Sequence, residues 1–493
     1  MSSRVVSVLA ALVLAAGAAP SVLACVVGLG ISASCTEAAL DNCMPGFLGF
    51  DGTITFDCGT APVTITVTAN KDITADTTIE GATDVNGNNL ITISGGGTVS
   101  DLFFMTAPFT IEHLNVADSI GDAAIFSSNV AASLTVTDSV LSNNTIAIDT
   151  FGTKTVTGST FTQNKSGGIV GGGNITVTGS TFTQNAPAIN TGGTLMATGS
   201  TFVSNTGSNG GAIESGGPLT VTNCTFYNNN APGNGGAILS SGTATVSNST
   251  FVSNTAGSNR AGGAIDKSGS TGLTIINCTF SDNGAGTGGT LAGGAAGAIT
   301  VENSILANPT TGGVCGGPIT DGGHNIDSDA TCGFTGTGCT TTTGTSFCTT
   351  NPQLDAFGDH GGPTQTYAIL SGSPAVNAGD ETVCAGSPVN NLDQRGFVRP
   401  GGTATRCSIG AYELDAALCG DINGDGAVNI GDALTAAQYV VGLRTCGQAP
   451  LGHPASCDVN GDGACNVGDA LRMAQCDVGL VSCAFTCLPF PCP

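Results

Sequence analysis

The chain contains no tryptophan, and charged residues are scarce for its 493 residues. Only 11 Lys and Arg stand against 35 Asp and Glu, which excludes the basic surface on which nucleic-acid binding depends. Anionic sugar chains also need basic residues, and stacked sugars favour large aromatic rings. The composition therefore weighs against an enzyme that cleaves acidic polysaccharides. Between positions 26 and 310 the basic residues are Lys71, Lys154, Lys165, Arg260 and Lys267.

Long apolar runs are also lacking, apart from one at the N-terminus. Arg4, the apolar run 5–19 and the small-residue site 22–24 have the pattern of a secretory signal peptide over residues 1–24. Cys25 follows directly, so a lipid anchor on Cys25 is the alternative to simple cleavage. No later segment has the roughly 18 apolar residues that a membrane-spanning helix requires. The 20 cysteines predict disulfides, and hence a secreted or cell-surface protein.

What the chain does contain is a short phrase repeated between residues 134 and 306. Each copy reads apolar-Thr-apolar, then Ser or Cys, one residue, a ring, two residues and Asn, and after a loop Ala-Ile. The clearest copies are 219–238 and 244–265. Repeats of about 20–30 residues indicate a solenoid, propeller or array. The ring recurs at Phe161, Phe182, Phe202, Phe226, Phe251 and Phe280.

Inside each copy the apolar residues alternate with Thr or Ser, which is the two-residue period of a strand. If the copies stack as coils of parallel strands, like residues lie about 4.8 Å apart. The rings then form one internal stack, and the asparagines form another at a bend, where amides bond to one another and to turn backbone. One coil cannot bury its apolar face alone. The sequence therefore predicts an all-β fold, a right-handed parallel β-helix over 25–310. The stacked amides are Asn164, Asn185, Asn205, Asn229, Asn254 and Asn283.

A short helix is predicted at 35–43, and its two terminal cysteines could pin it. Such a helix suits the open end of a solenoid, whose first coil otherwise exposes strand edges. Early strands are expected at 54–56, 63–67, 78–79, 90–93 and 109–114. With Glu37 and Ala38 after Cys35, this opening resembles secreted bacterial right-handed parallel β-helix proteins.

The loop between Asn and Ala-Ile lengthens along the repeat, from Asn164–Ile169 in an early copy to Asn283–Ile299 in a late one. Insertions repeated on one face often build a binding face. Residues 200–300 therefore hold a candidate contact surface for a glycan or surface partner. The alternative is drift, since exposed Gly-rich loops tolerate insertion at little cost. The charged residues of this overhang are Glu214, Arg260, Asp266, Lys267 and Asp282.

Cysteines cluster after residue 311, where the phrase stops. There is no C-x-x-C pair, and His324 lacks a partner at ligand spacing, so disulfides closing the solenoid are favoured over zinc. Which cysteines pair is open. The cluster consists of Cys315, Cys332, Cys339 and Cys348.

Five phrases between 350 and 414 carry a second resemblance. In their order they closely resemble the choice-of-anchor region that follows such β-helices in secreted bacterial proteins. The resemblance implies an extracellular product with interchangeable attachment modules at its C-terminus. Residues 311–414 are thus expected to form a Cys-containing cap and a choice-of-anchor region. The phrases are 351–355, 359–364, 372–380, 393–396 and 409–413.

Residues 421–432 and 458–469 are two matching acidic loops. Each places oxygen side chains at positions 1, 3, 5, 9 and 12 with Gly at position 6, the pattern of an EF-hand calcium loop. Position 7 contributes a backbone carbonyl, and position 12 is Asp where helix–loop–helix sensors have Glu. Two calcium ions are expected. Their predicted ligands are Asp421, Asn423, Asp425, Ala427, Asn429 and Asp432, and Asp458, Asn460, Asp462, Ala464, Asn466 and Asp469.

A helix is predicted after each loop, at 433–443 and 470–480. The twin loop-plus-helix over 419–480 resembles the type I dockerin, which implies a small all-α, calcium-dependent domain and a cohesin-like partner. Cellulosomal dockerins carry partner-reading hydroxyls at positions 10 and 11; here Ile430-Gly431 and Val467-Gly468 stand there. Residues 481–493 are expected to be an irregular Cys- and Pro-rich tail. One face of each helix carries Leu434, Ala437 and Val441, or Leu471, Ala474 and Val478. Extra cysteines, which suggest a stapled variant, are Cys419, Cys446, Cys457, Cys465 and Cys476.

Two functions follow from these features. The favoured one is an adhesion or interaction scaffold that a dockerin-like module attaches to a partner. The alternative is a polysaccharide lyase or glycoside hydrolase carried by a dockerin. For that alternative Glu214, Asp266 and Asp282 could meet on adjacent coils, and one could act as a general acid if its pKa were raised. No nucleophile elbow and no clustered acid pair is evident, so solvated loop carboxylates are the simpler interpretation.

Overall fold

The computed structural model describes residues 23–44, 50–293, 299–401, 404–414, 419–423, 427–445, 456–462, 464–483 and 485. All but the last two residues of the expected signal peptide, the expected ligand Asp425, Cys446 and most of the expected tail lie outside this part. The described residues form a parallel β-solenoid of about 12 turns, with a small helical region towards the C-terminus. The predicted fold class is therefore confirmed.

A typical turn gives one short strand to each of three parallel sheets, which we call A, B and C. Sheet A consists of Leu23–Val27, Gly52–Phe56, Thr77–Glu80, Phe109–Glu112, Leu134–Thr137, Lys154–Thr157, Ile175–Thr178, Leu195–Thr198, Leu219–Thr222, Ala244–Ser247, Leu273–Ile276, Ile299–Glu302 and Ile319–Asp321. Sheet B consists of Val63–Thr66, Ile91–Ser94, Leu114–Ala117, Val140–Ser142, Thr160–Thr162, Thr181–Thr183, Thr201–Val203, Thr225–Tyr227, Thr250–Val252, Thr279–Ser281, Ile305–Ala307, Ile326–Asp327, Thr335–Thr337 and Thr341–Cys348. Sheet C consists of Lys71–Ile73, Phe103–Met105, Ile125–Ser127, Ile146–Thr150, Gly167–Gly171, Ile189–Thr191, Ile213–Ser215, Ile238–Ser240, Ile265–Lys267, Leu291–Gly293 and Cys315–Gly316.

The repeated phenylalanines form a continuous stack inside sheet B. From Phe161 to Phe280 each buried ring lies on the next, with centroids 4.6 to 5.0 Å apart and planes tilted by no more than 12°. This spacing is the strand spacing of a sheet, so the coils lie in register without an offset. The predicted ring stack is confirmed.

The asparagine ladder follows at the next bend. The Asn185 Nδ2 donates to Asn205 Oδ1 at 3.0 Å and to the Phe161 carbonyl at 2.9 Å. The same Asn205 Oδ1 also accepts the Asn185 backbone N–H at 2.9 Å. Because these groups are fully buried, each amide satisfies polar groups that water cannot reach.

The N-terminal end is closed by a short 3-10 helix, Ser32–Ser34, and by helix α1, Glu37–Cys43. Their cysteines pair outward, as Cys25–Cys43 and Cys35–Cys58. The two cysteines therefore do pin the helix, each to a neighbouring segment of the chain. The Cys25 sulfur is held in a disulfide, which leaves no thiol for a lipid anchor.

The opposite end is closed by the cysteine cluster, paired as Cys315–Cys332 and Cys339–Cys348. The preference for disulfides over zinc is confirmed. After Cys348 the chain turns back along the solenoid; we call residues 350–414 the strap.

The strap contains an antiparallel hairpin, Leu354–Gly358 with Thr366–Ile369, and helix α2, Glu381–Ala385. The Cys384–Cys407 disulfide and two buried ion pairs hold it together. These pairs are Asp393–Arg395, with an oxygen–nitrogen distance of 2.6 Å, and Arg399–Glu413, at 3.2 Å.

Two further helices follow, α3 (Ile430–Val440) and α4 (Val467–Asp477), which pack against each other. Each begins three residues earlier than predicted, because Asn429 and Asn466 act as N-caps within the acidic loops. In the part of the chain that the structure describes, no helix combines the length and apolarity needed to cross a membrane.

Candidate metal centre and interaction surfaces

Three carboxylates of the second acidic loop converge on one point. One oxygen each from Asp458, Asp462 and Asp469 lies within 4.8 Å of the others. Asp458 and Asp469 are buried, whereas Asp462 is exposed. Such a set of hard oxygen ligands around one point fits a calcium ion.

The local sequence builds this arrangement through backbone hydrogen bonds. Asp458 Oδ1 accepts the Gly461 N–H at 2.8 Å, and Asn460 Oδ1 accepts the Asp462 N–H at 2.8 Å. Gly461 has a φ of +74°, in the left-handed region that glycine adopts without strain. The chain therefore curls around the point where the carboxylates meet.

Position 12 also starts helix α4. Asp469 Oδ2 accepts the Asn466 N–H at 2.8 Å, and the Asn466 side chain accepts the Asp469 N–H, which together form a capping box. Asn466 Oδ1 also accepts the Gly468 N–H at 2.7 Å. Burial raises the pKa of Asp469, and the nearby charges of Asp458 and Asp462 raise it further. Backbone hydrogen bonds from Asn466 and Asn460 lower this pKa in part. A bound cation would relieve that crowding of negative charge.

The first loop repeats this frame in its described residues. Asp432 Oδ1 accepts the N–H groups of Ile422 and Asn423 at 3.0 and 3.1 Å, and its Oδ2 accepts that of Asn429 at 3.0 Å. In the second loop Asp469 Oδ1 accepts from Val459 and Asn460 at the same distances. The two loops thus share one backbone design.

The apolar residues of α3 and α4 do not all enter the core. Leu434 and Leu471 are each 58% exposed, and the C-cap residues Val441 and Val478, which directly follow the helices, are also exposed. The helices instead bury smaller residues of the adjacent face, including Ala433, Ala436, Ala470 and Met473. At loop position 10, Ile430 and Val467 are exposed as well. The module therefore presents two matching apolar surfaces to solvent.

The loops that lengthen up to Ile265 stack into one ordered ledge. The expected further step from Asn283 to Ile299 is wrong, because Leu291 holds the sheet C position beside Ile265 and Ile299 lies in sheet A beside Leu273. Asn209 Oδ1 accepts the Asn234 N–H at 3.1 Å, and Asn234 Oδ1 accepts the Ala261 N–H at 3.2 Å. Within the ledge, Asn230–Ala231 pairs in parallel with Thr255–Ala256. The coil-on-coil stacking of the core therefore continues into the overhang.

Two of the overhang's predicted charged residues are not available for contact. Lys267 is fully buried, and its ammonium donates to the Ser240 and Ser241 carbonyls at 3.3 and 3.1 Å. Asp266 is 6% exposed. Arg260 remains exposed on the ledge.

The three candidate catalytic carboxylates do not meet. Glu214 and Asp266 lie in one outward column of sheet C, but Leu239 stands between them, which puts them about 10 Å apart. Asp282 directly follows the sheet B strand Thr279–Ser281. Its Oδ2 accepts a hydrogen bond from the Tyr367 hydroxyl of the strap at 3.0 Å. The expectation that they could meet on adjacent coils is therefore wrong.

Their electrostatics differ as well. Burial raises the pKa of Glu214. Burial also raises the pKa of Asp266 to about 6, although a hydrogen bond from the Asn234 side chain and the charge of Lys267 both act to lower it. The neighbours of Asp266 in its column are Leu239 and Ala292, so the column supplies no second carboxylate beside it.

The strap binds the last coils through a column of asparagines at the turn from sheet A to sheet B. Asn303 donates to the Asp380 carbonyl at 3.1 Å and accepts the Asp380 N–H at 2.8 Å. Asn248 donates to the Leu392 carbonyl at 2.9 Å. Sequence reasoning missed this interface. The available signal is the residue before Ser/Cys-Thr-ring, which is Gly at 158, 179 and 199 but Asn at 223, 248 and 277.

Comparison with known proteins agrees with this geometry. Residues 419–475 match the family model of the dockerin type I domain. Residues 123–264 and 173–331 match that of the right-handed beta helix region. Comparison with curated proteins and with solved structures found no match. Type I dockerin domains bind calcium and imply a cohesin partner, and proteins that carry them are typically extracellular or on the cell surface. The chain thus joins a parallel β-solenoid to a region that matches a type I dockerin.

Proposed function

We propose that this protein is a secreted, non-catalytic scaffold, whose β-solenoid is attached to a cohesin partner by a module folded around two calcium ions. The observation that carries the proposal is the convergence of Asp458, Asp462 and Asp469 next to helices with exposed apolar faces. The domains would be a signal peptide (1–24), the solenoid with its cap (25–310), the Cys-containing cap and choice-of-anchor region (311–414), the calcium module (419–480) and a tail (481–493).

The repeated backbone frame supports one ion in each loop. The first would be held by Asp421, Asn423, Asp425, Ala427, Asn429 and Asp432, and the second by Asp458, Asn460, Asp462, Ala464, Asn466 and Asp469. Calcium would neutralise the crowded carboxylates and fix the start of each helix. Since Asp432 and Asp469 already cap these helices, calcium binding and helix position are coupled.

Partner recognition would rest on apolar contact. Ile430 and Leu434, and their counterparts Val467 and Leu471, lie on the exposed faces that begin at loop position 10. Burying such side chains contributes about 1.5–3 kcal/mol each. A partner would need an apolar patch where cellulosomal cohesins meet hydroxyls.

Calcium titration of the full chain tests the first part. We expect two ions to bind by isothermal titration calorimetry, one ion for Asp462→Ala, and two for Asp355→Ala, an exposed control in the strap. Binding of no calcium, or unchanged binding by Asp462→Ala, would contradict the proposed centre.

A panel of purified cohesin domains tests the second part. Binding should require calcium, and Leu434→Ser with Leu471→Ser should weaken it at least tenfold without changing calcium stoichiometry. Capture of a cohesin in the presence of a chelator would contradict the proposal.

A glycan-degradation screen tests the non-catalytic part. Cleavage that disappears in Glu214→Ala, Asp266→Ala or Asp282→Ala would make the protein an enzyme.

A further inference from the structure

A polar trough runs along the outside of sheet B, ahead of the strap. Its first part is a concavity of about 590 Å³ between the 83–89 loop and the turns that carry His113 and Asp138. Asn89, Asn115 and Thr160 line it as well. The residues that line this concavity include none from the strap.

The floor of the trough continues to the strap. In sheet B, Asn115, Val140, Thr160, Thr181 and Thr201 form one outward column in register. Five coils at the strand spacing span about 19 Å. All five side chains are half-buried. The column ends where Pro363 of the strap approaches Gly199, so the 83–89 loop bounds one end and the strap bounds the other.

The lining is nearly free of charge. Asp138 is the one carboxylate among the lining residues, and its Oδ2 lies 3.8 Å from His113 Nε2. The lining contains no Lys or Arg, and the chain as a whole has a net charge of −24. An anionic chain would find no Lys or Arg to pair with in this lining, whereas amides and hydroxyls match the hydroxyl groups of a neutral chain.

The strap shows how this same face binds a peptide. Where the strap lies, Asn248 and Asn303 reach its backbone carbonyls and an N–H group. Along the open coils the equivalent positions are Gly158, Gly179 and Gly199, which have no side chain to do so. These three turn positions therefore lack the amides that hold the strap, whereas the floor of the open coils keeps its threonine hydroxyls.

We propose that this trough binds a neutral oligosaccharide of several sugar units, lying along the solenoid axis. Asn115, Thr160, Thr181 and Thr201 provide the floor, and the 83–89 loop and the strap set the ends. Glycosidases need a pair of carboxylates at the scissile bond. With Asp138 as the one carboxylate in the lining, the trough holds a glycan without cleaving it. This role goes beyond attachment and does not depend on calcium.

Calorimetry on the full chain tests the proposal. The probes are cellohexaose, xylohexaose and mannohexaose as neutral chains, hexagalacturonate as an anionic chain, and a synthetic peptide of residues 359–369. We expect at least one neutral hexasaccharide to bind, equally well with calcium or chelator. Binding of none of the three, or tighter binding of hexagalacturonate or the peptide, would overturn the proposal, as would cleavage of the bound sugar.

Isosteric variants locate the site. Thr160→Val with Thr181→Val removes two floor hydroxyls while keeping the β-branched shape, and should weaken binding about tenfold. Thr157→Val with Thr178→Val changes the exposed outer face of sheet A in the same two coils, and should change affinity less than twofold. Equal effects of the two pairs, or none from the first, would overturn the assignment.

Discussion

The Thr250 hydroxyl donates to Gln394 Oε1 at 2.6 Å, across 144 residues of sequence. The Nε2 of Gln394 donates to Thr225 Oγ1 at 3.0 Å, so one side chain joins two coils to the strap. Thr225 also donates to the Gln365 carbonyl. Because these groups are buried, solvent cannot replace any partner that is lost.

Replacing Gln394 should therefore loosen the strap. Gln394→Leu leaves buried hydroxyls of Thr225 and Thr250 without this partner, and should cost about 2–4 kcal/mol. Hydrogen exchange of residues 354–414 would show the loss as faster exchange in the strap, with sheet A unchanged. Gln365→Leu is the control, because the Gln365 side chain is exposed. Equal protection in both variants would argue against the bridging role.

Replacing a single asparagine of the ladder should lower the stability of the solenoid. Asn205→Ala removes the donor to Phe182 O and Asn229 Oδ1, and the acceptor for two groups of Asn185. We expect a loss of about 2–4 kcal/mol in the free energy of unfolding, measured in urea. Asn190→Ala is the control: Asn190 faces outward on sheet C and should change stability by less than about 0.5 kcal/mol.

The ring stack predicts that stability falls in proportion to the volume removed from a buried phenylalanine. Phe226 lies 4.7 and 4.6 Å, centroid to centroid, from the rings of Phe202 and Phe251. Phe226→Ala should destabilise the solenoid by about 3–5 kcal/mol, and Phe226→Leu by less, since leucine fills more of the space. Phe151→Ala, at a ring that is 46% exposed, should cost far less. A similar melting temperature for both alanine variants would contradict the in-register core.

Lys154 predicts a pH dependence. Its fully buried ammonium donates to the carbonyls of Thr150, Gly152 and Gly172, and burial, opposed by the Asp149 charge, lowers its pKa to about 8. Between pH 8 and the ordinary lysine pKa of 10.5, the unfolded chain holds a proton that the folded chain has released. Stability from this group therefore rises with pH in that window.

The measurement is the free energy of unfolding of wild type minus that of Lys154→Met. This difference should rise by about 3 kcal/mol from pH 8 to 10.5, and stay flat below pH 7. Subtracting the variant removes the contributions of groups common to both proteins. Lys165→Met, at an exposed lysine of the same coil, provides the control. A flat difference across the window would show that Lys154 titrates as in the unfolded chain.

Much of the solenoid could be predicted from the sequence because its contacts join equivalent residues of neighbouring repeats. Phe202 meets Phe226 for the same reason that Phe226 meets Phe251, so the spacing of one residue type gives the register. The acidic loops were readable for a similar reason, since residues 458 to 469 supply their own converging oxygens. The helix faces were less readable. Leu434 and Leu471 have helical spacing, but spacing alone does not say whether the apolar face meets a core or solvent.

The sequence by itself determined the coil, the internal ring and amide stacks and the two acidic loops, because each arises between neighbours at a fixed spacing. The tertiary structure decided the pairing of Cys25 with Cys43, the separation of Glu214 from Asp266, and the seat of the strap on Thr225 and Thr250. These depend on where distant segments come together once the coils have stacked. Sequence periodicity does not predict these contacts, because each one forms only after the rest of the fold has brought both residues together.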